Sequence, residues 1–294
     1  MLYLSLDFNF LTMILIADGG STKADWIALD NDKKELFRTR TKGLNPVILS
    51  KEKLHDRIIQ NYEIYQHKEK VTAVFFYGAG CGTPKPTALL KGVFESIFTK
   101  AKVIVEEDML AAVYAASGGK ESIVCILGTG SNSCYYDGEI AHQNVVSLGY
   151  ILMDEASGNY FGKQLIIDYF YHKMPKEIAE AFKKSYNLSP DEIKLNLYQK
   201  ESPNAYLGNF AEFMFQFKET AYMHALIKKG FSTFFEYRIL PYKKTAAIPI
   251  YFIGSIAYYF KLVLEEVATS YGLTIAGVLQ RPIANLIAYH QQEH

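Results

Sequence analysis

The chain has 294 residues, 49% of them hydrophobic, enough to bury a sizeable core and to form two domains. Its 31 Lys and Arg balance 31 Asp and Glu, so no global basic field draws it to nucleic acid or to an anionic membrane. Cys81, Cys125 and Cys134 lie far apart with no C-x-x-C pair, which argues against a disulfide framework or a zinc site and for a reducing cytoplasm.

In the first dozen residues Leu2, Leu4, Leu6, Phe8 and Phe10 alternate with smaller or polar residues, a strand-like period. They lack the basic stretch and the small-residue cleavage site of a secretory signal. Residues 1–12 are read as an appendage before Met13, without an assigned function. No uncharged apolar run along the chain reaches membrane-spanning length.

Ile14 to Leu29 reads as strand, glycine turn, strand. Asp18-Gly19-Gly20-Ser21-Thr22-Lys23 forms the turn. Adjacent glycines bend the backbone tightly and leave amide N–H groups uncovered. A hydroxyl, a cation and a carboxylate complete what a nucleotide phosphate with Mg²⁺ needs. A polar hairpin turn explains the same residues. Asp30-Asn31-Asp32 then turns the chain into a third strand at Glu35 to Arg38, and Gly43-Leu44-Asn45-Pro46 is a loop. Ser50 is expected to cap a single helix whose Leu54, Ile58, Ile59, Tyr62 and Tyr65 share a face. Val71 to Tyr77 is a continuous apolar run, a central strand. A Gly-rich loop at 78–84, a helix from about Thr87 to Phe98, a strand at Lys102 to Val105 and a helix at Met109 to Ala116 follow. Ser117-Gly118-Gly119 is the expected domain boundary, giving domains 1–117 and 118–294.

The pattern then begins again: apolar Ser122 to Leu127, the turn Gly128-Thr129-Gly130-Ser131, a strand at Asn132 to Tyr136, the hairpin Asp137-Gly138, and a third strand from Ile140. This repeat, too long for a solenoid, is the most informative feature of the chain. Two such halves facing one another would aim both glycine turns at one cleft. The stretch 157–245 is a helical insertion whose Phe210, Phe213, Met214, Phe217 and Tyr222 form an aromatic stripe, either core or homodimer interface. Ile248 to Ile253 is a strand, Gly254-Ser255 opens a helix to about Tyr271, and a strand at Leu273 to Ala276 precedes a last helix after Arg281-Pro282. That helix is expected to pack back on the N-terminal domain.

The set Asp18 to Lys23, Asp108, Gly128 to Asn132, Asp154-Glu155 and Gly254-Ser255 runs in order from Ile14 over almost the whole chain. It resembles the N-acetylglucosamine kinase group, filed with BadF/BadG/BcrA/BcrD-type ATPases in the sugar kinase, Hsp70 and actin superfamily. The resemblance implies an α/β protein of two ribonuclease H-like (actin-like ATPase) domains, each a mixed five-stranded sheet flanked by helices, with an interdomain cleft. It implies an ATP-dependent kinase acting on a small amino sugar, most simply N-acetylglucosamine at its 6-hydroxyl, in the cytoplasm. Gly19, Gly20, Ser21, Thr22 and Lys23, with Gly128, Thr129, Gly130 and Ser131, would hold the ATP phosphates. Gly254 and Ser255 would let the nucleotide approach the backbone, and Asp18 would orient hydrated Mg²⁺. Asp108 would accept the proton of the sugar hydroxyl. Asn45, Asn132, Ser147, Leu148, Gly149, Asp154 and Asp108 itself would contact the sugar.

Plainer roles stand beside these: Asp108 as a helix N-cap, Asn45 as a loop residue before proline, and Asp154-Glu155 as a solvated pair at a helix start. Met153 and Ala156 replace two glycines of the group's Gly-Asp-Glu-Gly-Ser, so the backbone there is expected to resist φ > 0. Leu148 stands where the group tends to place a tryptophan. Two other functions fit the frame: a non-catalytic sugar- or nucleotide-binding homologue, and the activator ATPase of a 2-hydroxyacyl-CoA dehydratase, which carries an iron–sulfur cluster. Cys125 and Cys134 fall within apolar strands, as packed thiols do.

Overall fold

The apolar runs on either side of Gly19-Gly20 form an antiparallel pair, β1 (Met13–Gly19) and β2 (Lys23–Leu29), and β3 (Glu35–Lys42) extends the meander. β4 (Val71–Gly78) and β5 (Lys102–Glu107) add in parallel beyond β1, giving the order β3-β2-β1-β4-β5. Parallel neighbours need crossovers. Helices α1 (Lys51–Ile59) and α2 (Tyr62–His67) supply the first, and α3 (Pro84–Ile97) the second. This computed structural model describes residues 12–20, 22–243 and 245–293; the appendage up to residue 11 and Ser21 lie outside them.

The second sheet repeats the plan. β6 (Ser122–Leu127), β7 (Ser131–Tyr136) and β8 (Ala141–His142) are antiparallel, and β9 (Ile250–Ile253) and β10 (Ile275–Leu279) add in parallel, in the order β10-β9-β6-β7-β8. Read from the third strand to the fifth, both sheets have the same order, and both are flanked by helices. Between β8 and β9 the chain is helical: α5 (Gly158–Phe170), α6 (Lys176–Ser185), α7 (Pro190–Tyr198), α8 (Pro203–Phe210), α9 (Met214–Phe217) and α10 (Ala221–Phe234). Among the described residues no helix is long and apolar enough to cross a membrane.

The chain divides into two units, 1–108 and 109–294. The division falls after the first residue of α4 (Asp108–Ser117), ahead of the expected boundary at Ser117 to Gly119. The reason is packing: Met109, Ala112 and Val113 are buried with Val124, Cys134, Tyr136 and Ile253 of the second unit. The last helix, α13 (Ile283–Glu293), likewise packs on α4, through an Asn285 side chain that donates to the Ala115 carbonyl at 3.0 Å and a Tyr114–Tyr289 stack at 4.2 Å. The N-terminal domain on which it is expected to pack, 1–117, includes α4, which its own packing groups with the second unit.

Three local expectations change for local reasons. The helix from Ser50 breaks after Ile59, because the Asn61 side chain accepts from Ile64 N–H at 3.1 Å and donates to Thr39 and Arg40 of β3. A new helix starts there, and Tyr62 and Tyr65 end exposed. The strand from Ile140 shrinks to Ala141–His142, since the Asp137 carboxylate captures the N–H groups of Glu139 and Ile140. The helix after Gly254 is interrupted at Phe260, giving α11 (Ser255–Tyr259) and α12 (Lys261–Ser270). The aromatic stripe is core: Phe210, Phe213 and Met214 are buried, and Phe217 and Tyr222 pack against them.

In the first unit Trp26 is fully buried between Phe76 and Phe94, with ring centroids 5.9 and 5.8 Å away, and its indole N–H donates to Thr41 Oγ1 at 3.1 Å. Removing Phe76 opens a cavity that this packing cannot refill. Phe76→Ala is expected to cost about 3–5 kcal/mol, and the emission of Trp26, the one tryptophan in the chain, reports the loss during denaturant unfolding.

Candidate functional site

Because β1, β4 and β5 are parallel, their carboxyl ends share one edge of the first sheet. Gly19 pairs in register with Gly78, and Gly78 with Glu107. Asp18 stands one residue before this row and Asp108 one residue after it, both half-buried. Open α/β sheets present ligand groups at such an edge. Asp108 also occupies the first turn of α4, where a carboxylate is favoured by the helix dipole.

The Gly-rich loop after β4 brings Asn45 to the same edge. At Gly80, with φ 84°, a Cβ would come 2.2 Å from Asn45 Oδ1. That oxygen accepts from Val47 N–H at 2.9 Å, which sets the amide. At Gly82 a Cβ would come 2.8 Å from Glu107 Oε1. Cys81 lies between them, and its thiol is pushed up to about 12 by burial and then by the carboxylates of Asp108, Glu107 and Glu106. It is a packed thiol, and no thiolate nucleophile. Sequence reading named this loop without a role; its glycine spacing was the available signal.

Gly19 has a structural reason of its own. A Cβ on Gly19 or on Gly78 would come 2.2 Å from the Phe76 ring, so the aromatic core reaches up against the strand ends. At the turn itself Thr22 and Lys23 are exposed, and the Thr22 carbonyl accepts from Gly43 N–H at 2.9 Å. Lys23 is opposite Lys42 across β2 and β3. Like charges directly opposite repel.

In the second unit the turn after β6 is braced by α5. Gly128 N–H donates to the Gly130 carbonyl at 3.0 Å, and the carbonyls of Gly128 and Thr129 accept from Gly158 and Asn159 N–H at 2.8 and 3.0 Å. Asp154 is 7% exposed and lies under the turn, where a Cβ on Gly130 would come 2.8 Å from its Oδ2. Asn159 Nδ2 donates to that oxygen at 2.8 Å, and the Ser131 N–H also bonds the carboxylate. Burial raises the Asp154 pKa, opposed in turn by the bonds from Asn159 and Ser131 and by the Arg238 charge. Asp154 is therefore no solvated surface carboxylate: it holds the second glycine turn. Asn159, which sequence reading missed, carries no local signal of this partnership.

The segment 153–157 corrects a second expectation. Asp154 and Ala156 take φ values of 68° and 58°, so the backbone adopts the left-handed region without glycine. Such residues cost of order 1–2 kcal/mol each. The turn is held by the Ser157 N–H and hydroxyl, which bond the Asp154 carbonyl at 3.2 and 2.7 Å, and by burial of the Ala156 methyl.

Gly254 meets Gly128 at the ends of β9 and β6. Its φ is 121°, and a Cβ there would come 2.2 Å from the Leu127 carbonyl oxygen and 3.0 Å from Gly128 N. Its neighbour Ser255 is exposed. Asn132, in β7, is half-buried and its Oδ1 accepts from Ser133 N–H at 2.9 Å. Ser147 and Leu148 are exposed on the loop after β8, and Gly149 has φ 79°. Cys125 and Cys134 are buried free thiols, and burial drives the Cys125 pKa well up. Among the described residues no group of three or more His, Cys, Asp or Glu is placed to hold a metal ion.

No protein-family model matches the chain, and no curated protein matches it. Among solved structures it is similar to a candidate N-acetylglucosamine kinase from Porphyromonas gingivalis, at 37% identity and TM-score 0.88, over 96% of this chain and 100% of that one. A candidate N-acetylglucosamine kinase from Chromobacterium violaceum has the same fold at 16% identity and TM-score 0.70, over 95% and 99% of the two chains. So does a ROK family glucokinase from Streptomyces griseus in complex with glucose and AMPPNP, at 16% identity and TM-score 0.56, over 94% and 97%.

Two outcomes are expected from this geometry. Gly254→Ala forces a Cβ against a backbone carbonyl and is expected to cost about 3 kcal/mol or more, read as a lowered denaturation midpoint. Folding raises the Asp154 pKa above 3.8, so the native state binds more protons than the unfolded chain in the window between the two values. Its contribution to stability is then lost as pH rises through that window. Asp154→Asn removes the titration, so the stability of wild type minus variant is expected to fall as pH rises, measured by urea unfolding across a pH series.

Proposed function

Since the chain belongs to the N-acetylglucosamine kinase-like family of actin-like sugar kinases, we propose that it transfers the γ-phosphoryl group of ATP to a hydroxyl of an amino sugar. N-acetylglucosamine is the acceptor we favour, because a relative 37% identical, covered over its whole length, is described as a candidate N-acetylglucosamine kinase; the 6-hydroxyl is the position that the family resemblance implies. The observation that carries the reading within this chain is Asp108 at the carboxyl edge of the first sheet, beside the row of Gly19, Gly78 and Glu107.

In this reading the sugar hydroxyl oxygen attacks the γ-phosphorus, its proton passes to the Asp108 carboxylate, and the bond from phosphorus to the bridging oxygen breaks to release ADP. The transition state is loose, so alignment and charge neutralisation outweigh base strength. Asp108 acts mainly by accepting the hydroxyl hydrogen bond that aims the oxygen. The first turn, Gly19 to Lys23, would offer phosphate oxygens its amides and the Thr22 hydroxyl, next to the Lys23 and Lys42 charges. In the second unit the turn Gly128 to Ser131, held from below by Asp154 and α5, would do the same. No Cβ at Gly128 would meet any atom within 4 Å, so its backbone is open to approach. Gly254 and Ser255 would face the nucleoside side of ATP.

Asp18 would hold Mg²⁺, a hard cation that takes oxygen ligands and keeps several waters. The donor chemistry fits, since Asp18 is a half-buried carboxylate at a strand end. When bound, the ion neutralises phosphate charge. Asn45, Asn132, Ser147, Leu148 and Gly149 would contact the sugar, and Asp154 would act on the phosphates through the turn that it braces.

Asp108→Asn is expected to lower turnover at least ~100-fold while leaving nucleotide affinity within about twofold. Coupled ADP release across a panel of amino sugars, beside calorimetric titration with a non-hydrolysable ATP analogue, measures both. Unchanged turnover in the variant would overturn the assignment of Asp108. Sugar binding by the wild type without ADP release would make the protein a binding homologue.

A further inference from the structure

We propose that Arg238 is the positioning residue of the segment 145–155, and through it of the sugar-contacting positions Ser147, Leu148 and Gly149; the identity of the ligand rests on the kinase reading above. Arg238 is 2% exposed, although a guanidinium cannot shed its charge and is costly to bury without partners. It lies in a π-helical turn, Phe235–Ile239, which continues α10. Such turns are rare and mark functional sites more often than ordinary helix does.

Its partners all lie on one segment. One guanidinium nitrogen donates to the Val145 carbonyl at 3.0 Å and the other to the Met153 sulfur at 3.3 Å, and Nε is 3.7 Å from Glu155 Oε2. Met153 Sδ also accepts from Leu148 N–H at 3.4 Å, which ties the exposed tip of the loop to the same cation. Met153 stands where the family resemblance expects glycine, and a glycine has no acceptor to offer there. The arginine and the thioether thus form one clasp.

The other end of the clasp is rigid. The Arg238 carbonyl accepts from Ser133 Oγ at 2.8 Å, and Ser133 is buried on β7 next to Asn132. Asn144 Nδ2 adds a bond to the Pro241 carbonyl at 3.3 Å. Within the held segment the N–H groups of Leu152 and Met153 bond the Gly149 carbonyl at 3.3 and 2.9 Å, but its apolar side chains find little cover. Val146, Leu148, Ile151 and Leu152 are all exposed, and Gly149, Asp154 and Ala156 have positive φ. Held by a planar fork that donates to two acceptors and lies beside a carboxylate, the segment keeps one shape; a lysine at 238 keeps the charge but has a compact head without that fixed, spread geometry.

The test compares the full-length wild type with Arg238→Lys and with Met153→Leu, which conserves volume and removes only the acceptor. Hydrogen exchange followed by mass spectrometry reads the segment, and steady-state kinetics with N-acetylglucosamine and ATP reads the consequence. For Arg238→Lys we expect exchange in 145–155 to accelerate about tenfold, with 122–127 unchanged, and the sugar KM to rise about tenfold while the ATP KM stays within twofold. Met153→Leu is expected to move the same readouts in the same direction by about threefold. Unchanged exchange in both variants overturns the proposal, and so does a sugar KM that stays put while exchange rises, or sugar and ATP KM rising together. If the wild type neither binds nor phosphorylates an amino sugar, the kinase reading falls, and the exchange comparison alone decides whether Arg238 holds the segment.

Discussion

A Cβ at Gly254 would stand 2.2 Å from the Leu127 carbonyl, and one at Gly19 or Gly78 would stand as close to the Phe76 ring. Backbone at the carboxyl ends of the parallel strands therefore approaches its neighbours more closely than any side chain permits. At the glycine positions this constraint leaves backbone amides, rather than side chains, along the carboxyl edge of each sheet. Phosphate chemistry needs that exposure, and core packing demands the same glycines for a different reason. Neither explanation excludes the other. A substitution at these positions would disturb fold and function together.

The two units meet the constraint by different means. In the first, an aromatic core of Trp26, Phe76 and Phe94 rises against Gly19 and Gly78, so apolar packing sets the strand ends. In the second, buried polar groups do the work. Asp154 bonds Asn159 and the Ser131 N–H beneath the glycine turn, and Arg238 binds Val145, Met153 and Glu155 a few residues away. Burying charge is costly unless it is paired; the Arg238 guanidinium donates to two acceptors, while Glu155 Oε2, 3.7 Å from its Nε, is buried without a hydrogen bond. Because Asp154 and Glu155 are adjacent, the glycine turn at 128–131 and the segment 145–155 share one support, and a change in either is felt in both.

Much of the architecture was legible in the sequence because it is local. Apolar alternation and glycine turns marked the opening strands of each half, and their repetition announced the duplicated sheet. The failures have non-local causes. Asn61 looks like one more polar residue on a helix until β3 supplies Thr39 and Arg40 to bind its amide. Helix α4 followed Asp108 without a break, and only the burial of Met109, Ala112 and Val113 against β6, β7 and β9 assigns it to the second unit. Ala156 in a left-handed conformation contradicts its own preference, and the surrounding bonds and burial impose it.

By itself the sequence determined the chemistry on offer: two glycine turns with hydroxyls, Asp18 and Asp108 at strand ends, and strands whose order repeats. These follow from residue type and short spacing, which local sterics and periodicity read directly. Only the tertiary structure decided what each carboxylate and cation faces. Asp154 is brought under Gly130, and Arg238 is brought to Val145 and Met153 from far along the chain, by the helical insertion folding back on the second sheet. Burial and hydrogen-bond partners are properties of that return, and no stretch of sequence near either residue contains them.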